Sequence, residues 1–452
     1  MAGLKFDKIT RYKISAKCEG PLHIGSAIGD RAEVLIDPIS DTPFVQASSI
    51  AGVFRAYCRD ILKDSRWVQL FGSNAVENMS RLRFEDGHFN DGCKMEYRPH
   101  VRINRKTGSV QSEIIKGDSR KSGQKYNMEY VGTGSEICFD MYLFEDTYGD
   151  DDLSGLTMEL ISAMKCGLLQ FGGKKSNGTG IVRLLSVKLK KYNMTDEADR
   201  KAWRGLEDSD LQDYTNKLDT VENGSYAYEI IVNGCTENNI QVKGLATLGT
   251  GKGAPDSQNI RNAIKEYIIP GSSFKGAVRA HMEKIASYLE CDEVIELSFG
   301  KKTESGNLGC LGNLIFSDTV IGNIEENDNM NIQYRIHIDK FTGSVFNKGL
   351  FNEKNASGEL SFKIKILDRN NPKKTLGLLM FALRDLAIGT MSVGNGYSIG
   401  KGIINVSEIH IMDKKNNCEA TIDYSGEVAS LVDDNDIISQ AICELRRDID
   451  NE

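Results

Sequence analysis

Ser272 and Ser273 stand in the segment PGSSFKGAVR, which opens at Pro270 with a tight turn and runs into a helix carrying Lys275 and Arg279. Exposed N–H groups at a helix start attract anions, and phosphate is the usual guest. The serines could also do no more than cap the helix. An earlier segment, QASSIAGVFR, keeps Ser48, Ser49 and Arg55 but lacks the glycine and the lysine, so its anion site is expected to be the weaker. Two glycine-rich blocks, GGKKSNGTG from Gly172 and GNGYSIGKG from Gly394, each follow a helical pattern and precede a strand. Strand, glycines, then helix is the order of a dinucleotide or P-loop site, and here the order is reversed. Close backbone approach to a polyanion, helped by Lys174, Lys175 and Lys401, explains these glycines better; an ordinary helix-to-strand turn is the alternative. Between Val101 and Tyr126 the chain also gathers Arg102, Arg105, Lys106, Lys116, Arg120, Lys121 and Lys125 against Glu113 and Asp118.

These features come in pairs because the chain repeats itself. Gly25 and Gly249, Ser48 and Ser272, Ser49 and Ser273, Gly52 and Gly276, and Arg55 and Arg279 share one offset. In the same order, LFGS ending at Ser73 answers SFGK ending at Lys301, and LRFEDG (82–87) answers LIFSDT (314–319). VRINRKTGSV (101–110) answers RIHIDKFTGSV (335–345), and the glycine-rich blocks answer one another. Ordered blocks in register imply a duplicated domain. The predicted partition is residues 1–192, an acidic helix-prone linker over 193–224, residues 225–412, and a helical tail over 413–452. TRYKISAKCE alternates as a half-buried strand, and SSIAGVFRAYCRDILK and SGLTMELISAMKCGLLQ carry apolar residues at helical spacing. GIVRLLSVKLKKY closes the unit, and the second copy follows the same plan. Strand, helix, strands, helix, strand is the split order of a ferredoxin-like α+β domain.

Composition narrows the class. The net charge of −8 argues against a protein that coats nucleic acid uniformly, so the local basic segment matters more than the total. No apolar run approaches the roughly 20 residues of a membrane helix, and the first residues resemble no signal peptide, so a cytoplasmic protein without a membrane partner is expected. The ten cysteines are scattered without a CxxC and read as small buried apolar residues rather than a zinc site.

The glycine loop GPLHIG, the PGSSFKGAVR turn, the LFG element, the F-x-D strand, the RIHIDKFTGSV-type segment and the late glycine-rich loop together resemble the RAMP superfamily. More narrowly, each half resembles the Cas-seven-type backbone subunit of CRISPR type III effector complexes. That resemblance implies two RRM-like palms that lay a CRISPR guide RNA along a basic face. It also implies β-hairpin thumbs at about 101–130 and 335–358, with Val110, Val345 and Phe346 as wedges that displace nucleotides of the guide–target duplex. Single-stranded target RNA and the other subunits of the complex are the implied partners. Arg102, Arg105, Lys106, Lys340 and the serine, lysine and arginine residues of the paired blocks would grip RNA backbone.

The resemblance further implies an aspartate between the glycine loop and the serine turn that supports metal-dependent cleavage of target RNA. The matches are Asp30 and Asp256, which would also hold a divalent cation, magnesium, together with the RNA. They stand two residues out of the common offset, which requires compensating indels in the loop. Glu33 is the alternative in the first copy, and Asp37 reads as part of a turn. Arg31 and Arg261 could hold phosphate beside them. A non-catalytic double-RAMP subunit that caps the complex and binds guide RNA is the competing reading. A guide-processing ribonuclease needs an acid–base histidine, and His23 has Thr247 as its counterpart, so His23 reads as structural.

Overall fold

A computed structural model describes residues 5–25, 33–73, 79–104, 110, 112–114, 121–123, 125–147, 152–221, 224–244, 255–301, 309–322 and 332–446. The principal elements of the first repeat are β1 (Lys8–Cys18), α1 (Ala47–Ala56), β2 (Leu82–Phe84), β3 (Gly87–Phe89), β4 (Met95–Val101), β5 (Lys125–Val131), β6 (Glu136–Glu145), α2 (Leu153–Lys165) and β7 (Val182–Asn193). A helix α3 (Glu197–Gly205) follows. The second repeat contains β8 (Tyr226–Ile240), β9 (Ser257–Gln258), α4 (Gly271–Tyr288), β10 (Leu314–Phe316), β11 (Ile332–Ile338), β12 (Val345–Lys354), β13 (Ala356–Leu367), α5 (Pro372–Ala387) and β14 (Asn405–Asp413). Two further strands, β15 (Cys418–Asp423) and β16 (Ser430–Asp433), and a helix α6 (Ile437–Arg446) complete the chain.

Both repeats build the same antiparallel sheet. In the first, β1 lies between β7 and β6, and β6 carries β2 and β3 along its other edge. In the second, the order is β10-β13-β8-β14, which is the same arrangement, extended by β15 and β16. A strand order of 4-1-3-2 with two helices on one face is the ferredoxin-like plan. The copies share even an irregularity: the first strand slips register against the last at Ser15/Ala16 and again at Asn233/Gly234.

Apolar alternation decides which face is buried. Tyr12, Ile14 and Ala16 of β1 pack with Phe54 of α1 and Leu160 and Ile161 of α2 in one core. Ile230 and Val232 of β8 pack with Phe274 of α4 and Leu379 and Leu383 of α5 in the other, where the Phe274 and Phe362 rings stack at 4.1 Å. Each such leucine or phenylalanine withdraws enough apolar surface to contribute about 2 kcal/mol. Asn371 starts α5 by accepting the Lys374 N–H, with Pro372 at the first helical position, where its missing N–H costs nothing.

The chain forms two compact units that do not follow the repeat boundary strictly. The first comprises 1–96, 129–175 and 179–225, and the second comprises Tyr97–Met128, Ser176–Gly178 and Tyr226–Glu452. The acidic segment after β7 belongs to the first unit. Its helix α3 sets Trp203 against Tyr142 and Tyr192, and Gln212–Asp213 adds a short strand to β7. Arg11, buried in β1, reaches Asp140 at 2.6 Å and Asp208 at 2.9 Å and so fastens that segment to the sheet. The tail is more than a helix, because β15 and β16 widen the second sheet before α6 packs Ile438, Ala441 and Leu445 into the second core. Cys18, Cys58 and Cys291 are core residues, whereas Cys310 and Cys443 are exposed, so the reading of the cysteines as buried apolar residues holds only in part.

Candidate nucleic-acid interface

The two helices that open on serines start one residue earlier than their serine pairs suggest. Ser48 and Ser49, and Ser272 and Ser273, sit inside the first turn, and neither Gln46 nor Pro270 caps with its side chain. An aspartate from the F-x-D strand does the capping instead, in both copies. Asp86 accepts the Ala47 N–H at 2.6 Å, and Asp318 accepts the Gly271 N–H at 2.8 Å. Further in, Ser49 and Ile50 donate to the Gln46 carbonyl, as Ser273 and Phe274 donate to that of Pro270. The place expected for an incoming phosphate is therefore taken by a carboxylate of the chain, which the helix dipole favours equally well. Asp318 also holds the buried Arg98 guanidinium at 2.6 Å. Asp86→Ala should destabilise the first unit by about 1 kcal/mol, as caps do, whereas Asp318→Ala should cost about 2–3 kcal/mol because a buried cation loses its carboxylate. Urea unfolding of the two variants measures the difference.

The arginines one turn further in are engaged with aromatic rings. Arg55, exposed, lies 5.1 Å over Trp67, and Arg279 lies 5.3 Å over Phe299 while bonding Glu283 at 2.9 Å. Lys275 donates to the Ser176 hydroxyl at 2.7 Å. Lys174 and Lys175 are exposed on the glycine-rich block of the first repeat. Lys401 differs from the expectation: its side chain is 4% exposed, and its ammonium bonds Glu353 and Asn355, each at 2.9 Å. It ties the glycine-rich loop to the base of a hairpin and offers no charge to an RNA backbone. Burial alone would push the Glu353 carboxyl up. The hydrogen bond from Lys401, together with the charges of Lys401, Arg335 and Lys243, instead holds it below the usual carboxylate range.

That hairpin pairs β11 with β12 and projects apolar side chains into solvent. Ile336 pairs with Leu350 and Ile338 with Val345, and alternation along β11 puts Tyr334 on the same face. All five are exposed. The tip is a tight turn in which Asp339 accepts from the Phe341 N–H and from the Thr342 hydroxyl, leaving Phe341 99% exposed. The expected wedges Val345 and Phe346 flank this tip, with Phe346 against His337 at 4.7 Å, and Lys340 beside them is exposed. Phe341 was not among the expected wedges, although the turn signal TG two residues on marks its position. The first hairpin pairs β4 with β5 and carries an outer pair, Ser112–Ile114 with Lys121–Gly123. Arg102 and Val110 are exposed on it, and Arg105 and Lys106 lie outside the described residues.

Asp256 is exposed at the base of the second hairpin. Its carboxylate accepts the Asn352 N–H at 2.8 Å, and its own N–H donates to the Asn352 side chain at 2.7 Å. Ser257 and Gln258 of β9 then run parallel to β12, so hairpin and aspartate are fixed to one another. Arg261 stacks on the Tyr267 ring at 4.2 Å and bonds its hydroxyl. Asp30 and Arg31 lie outside the described residues, while Glu33 is exposed. Asp37 accepts from Ile39 and Ser40 in a turn. His23 is buried, with Nδ1 2.8 Å from the Glu129 carbonyl oxygen and its ring packed on Tyr130. Among the described residues no three His, Cys, Asp or Glu side chains converge on one point. A magnesium ion at Asp256 would therefore take most of its ligands from RNA phosphate and water, which suits an ion that commonly binds through one or two carboxylates plus phosphate.

Two ferredoxin-like sheets, each with an inserted hairpin and an aspartate-capped first helix, define one class. The RAMP superfamily matches residues 15–183 and 215–405, and the chain belongs to it as a tandem of two such domains. No curated protein matches the chain. A chain of a solved structure described as "Cryo-EM structure of the Type III-B Cmr-beta bound to cognate target RNA" is similar at 16% identity, with a TM-score of 0.32, over 41% of this chain and 61% of that one. This chain thus spans less than two thirds of that relative's length. Among the described residues no helix is long and apolar enough to cross a membrane.

Proposed function

We propose that the chain is a backbone subunit of an RNA-guided CRISPR type III effector complex, gripping guide RNA and cleaving complementary target RNA at regularly spaced sites. The observation that carries this reading is the coupling of Asp256 to the second hairpin through Asn352. A hairpin whose tip presents Phe341, Val345 and Phe346 can part a stack of bases, and a carboxylate locked to the same hairpin stands at a fixed distance from the nucleotide it displaces. Displacement turns the ribose so that its 2′-hydroxyl lines up with the adjacent phosphate. Asp256 then takes the hydroxyl proton as the 2′-oxygen forms its bond to phosphorus and the bond to the 5′-oxygen breaks, with water giving that oxygen its proton, so that a 2′,3′-cyclic phosphate and a 5′-hydroxyl result. Magnesium, when bound there, would neutralise charge developing on the phosphate. Sequence-independent grip by Arg102, Lys174, Lys175 and Lys340 suits a protein whose specificity is delegated to base pairing.

The second reading, a double-RAMP subunit that binds guide RNA and cuts nothing, draws on the same hydrogen bonds, because a carboxylate that holds Asn352 has a structural occupation already. Purification of the tagged chain from cells carrying the intact complex tests both readings at the level of RNA. Short RNAs sharing one 5′ sequence are expected in the purified material, and their absence would exclude either version.

A further inference from the structure

The second compact unit contains two segments of the first repeat, the hairpin Tyr97–Met128 and the loop Ser176–Gly178. The loop is seated at the start of α4. A Cβ placed on Gly271 would meet the Asn177 carbonyl oxygen at 2.7 Å, and one on Gly178 would meet the Phe316 carbonyl oxygen at 2.6 Å. Lys275 closes the contact through the Ser176 hydroxyl. The acceptor is thus a helix that begins with glycine, is capped by the F-x-D aspartate and carries a lysine one turn in.

The second repeat owns the same loop, and among the described residues nothing is seated on its Gly400. Tyr397–Ile399 forms the same short helical turn as Lys175–Asn177, and Ser398, Ile399 and Gly400 are the counterparts of Ser176, Asn177 and Gly178. Gly178 is buried, yet a Cβ on Gly400 would meet nothing within 4 Å. Beside it Tyr397 is 65% and Ile399 52% exposed. The hairpin repeats the pattern: the first contributes Arg98 to Asp318 within the second unit, and the strands of the second leave Tyr334, Ile336 and Leu350 exposed. Lys401 and Glu353 hold this loop and hairpin base together, so they are presented as one rigid surface.

We infer that Tyr397–Gly400, with the neighbouring face of the second hairpin, docks on a RAMP domain of another chain whose first helix has the glycine and lysine of α4. A second copy of this chain is disfavoured as the occupant. Its first repeat carries Ala47 where the acceptor needs glycine, Ala51 where it needs lysine, and Glu85 in place of Ser317. The Ala47 methyl would stand where the loop carbonyl must approach. The contact extends the assembly from the C-terminal repeat toward a different RAMP protein, and it does not depend on whether the chain cuts RNA.

A photo-crosslinking benzoylphenylalanine at position 399, in the full chain purified with its complex, tests the inference by sequencing the joined peptide. The expected partner peptide is the first turn of a glycine-started helix in another RAMP subunit. Crosslinks only to RNA, to a protein without a RAMP domain, to α1 of a second copy, or to nothing would overturn it. In parallel, Tyr397→Glu with Ile399→Asp should weaken retention of that subunit roughly tenfold or more, as loss of two interface anchors does. The melting temperature of the isolated chain should stay unchanged, because both side chains are exposed. Unchanged subunit stoichiometry would also overturn the inference. Neither readout involves cleavage, so failure here leaves the cleavage reading intact, and the converse holds.

Discussion

Asp256→Asn is expected to remove one of two regularly spaced cuts in a complementary RNA, slowing it at least 100-fold, while the other cut continues. Asparagine is the informative replacement. Its side-chain oxygen can still accept the Asn352 N–H that Asp256 accepts at 2.8 Å, so the hairpin base stays in place and only the basicity and charge are lost. Asp256→Ala removes both, and a larger effect of alanine than of asparagine would measure the positioning contribution. Asp30→Asn should silence the other cut by the same reasoning, and chelation of magnesium by EDTA should stop both. Gel mapping of products from the assembled complex distinguishes the outcomes. If Asp256→Asn leaves both cuts at wild-type rate, the carboxylate serves only to anchor the hairpin, and the end-capping reading takes over.

The duplication and the ferredoxin-like plan were legible because they rest on local patterns: alternation in TRYKISAKCE, helical spacing after the serine pairs, and turn glycines after α2 and α5. What escaped the sequence depends on distant partners. The capping role of Asp86 and Asp318 was hidden because each is separated from the helix it caps by about 40 residues or more, although the F-x-D motif was itself visible twice. Lys401 looked like a phosphate ligand because glycines surround it, and only the fold reveals that Glu353 and Asn355 are its neighbours. The resemblance implied Val345 and Phe346 as wedges and not Phe341, because the turn geometry set by Asp339, which decides which residue crowns the hairpin, is seen only in the fold. The strands β15 and β16 lie in the stretch expected to be a helical tail; β15 pairs with β14 and β16 with β15, and only that distant pairing fixes them as strands.

Lys401→Met should be the most damaging single change among the described residues of the hairpin base. It leaves Glu353 buried without its closest cation, an uncompensated charge of the kind that costs about 3–5 kcal/mol, and Arg335 at 3.3 Å and Lys243 at 3.5 Å should keep the cost near the lower figure. The pH dependence separates a charge effect from a packing effect. In the wild-type chain the folded-state pKa of Glu353 is depressed, so its contribution is present above the unfolded value of about 4.3 and is lost as pH falls through the folded value. Losing Lys401 removes the hydrogen bond and the nearest charge that hold this pKa down, while burial still pushes it up, so the folded pKa of the variant should rise from its wild-type position. The variant should then gain less stability than the wild type as pH rises through the carboxylate range. Its deficit should be large at pH 7 and shrink toward pH 4, as thermal melts across that range would record. A deficit independent of pH would mean that the lysine stem, rather than its charge, holds the loop. Glu353→Gln combined with Lys401→Met should restore most of the loss, since a neutral amide can be buried against Asn355 without a counterion, and hairpin, glycine-rich loop and Asp256 would again share one fixed base.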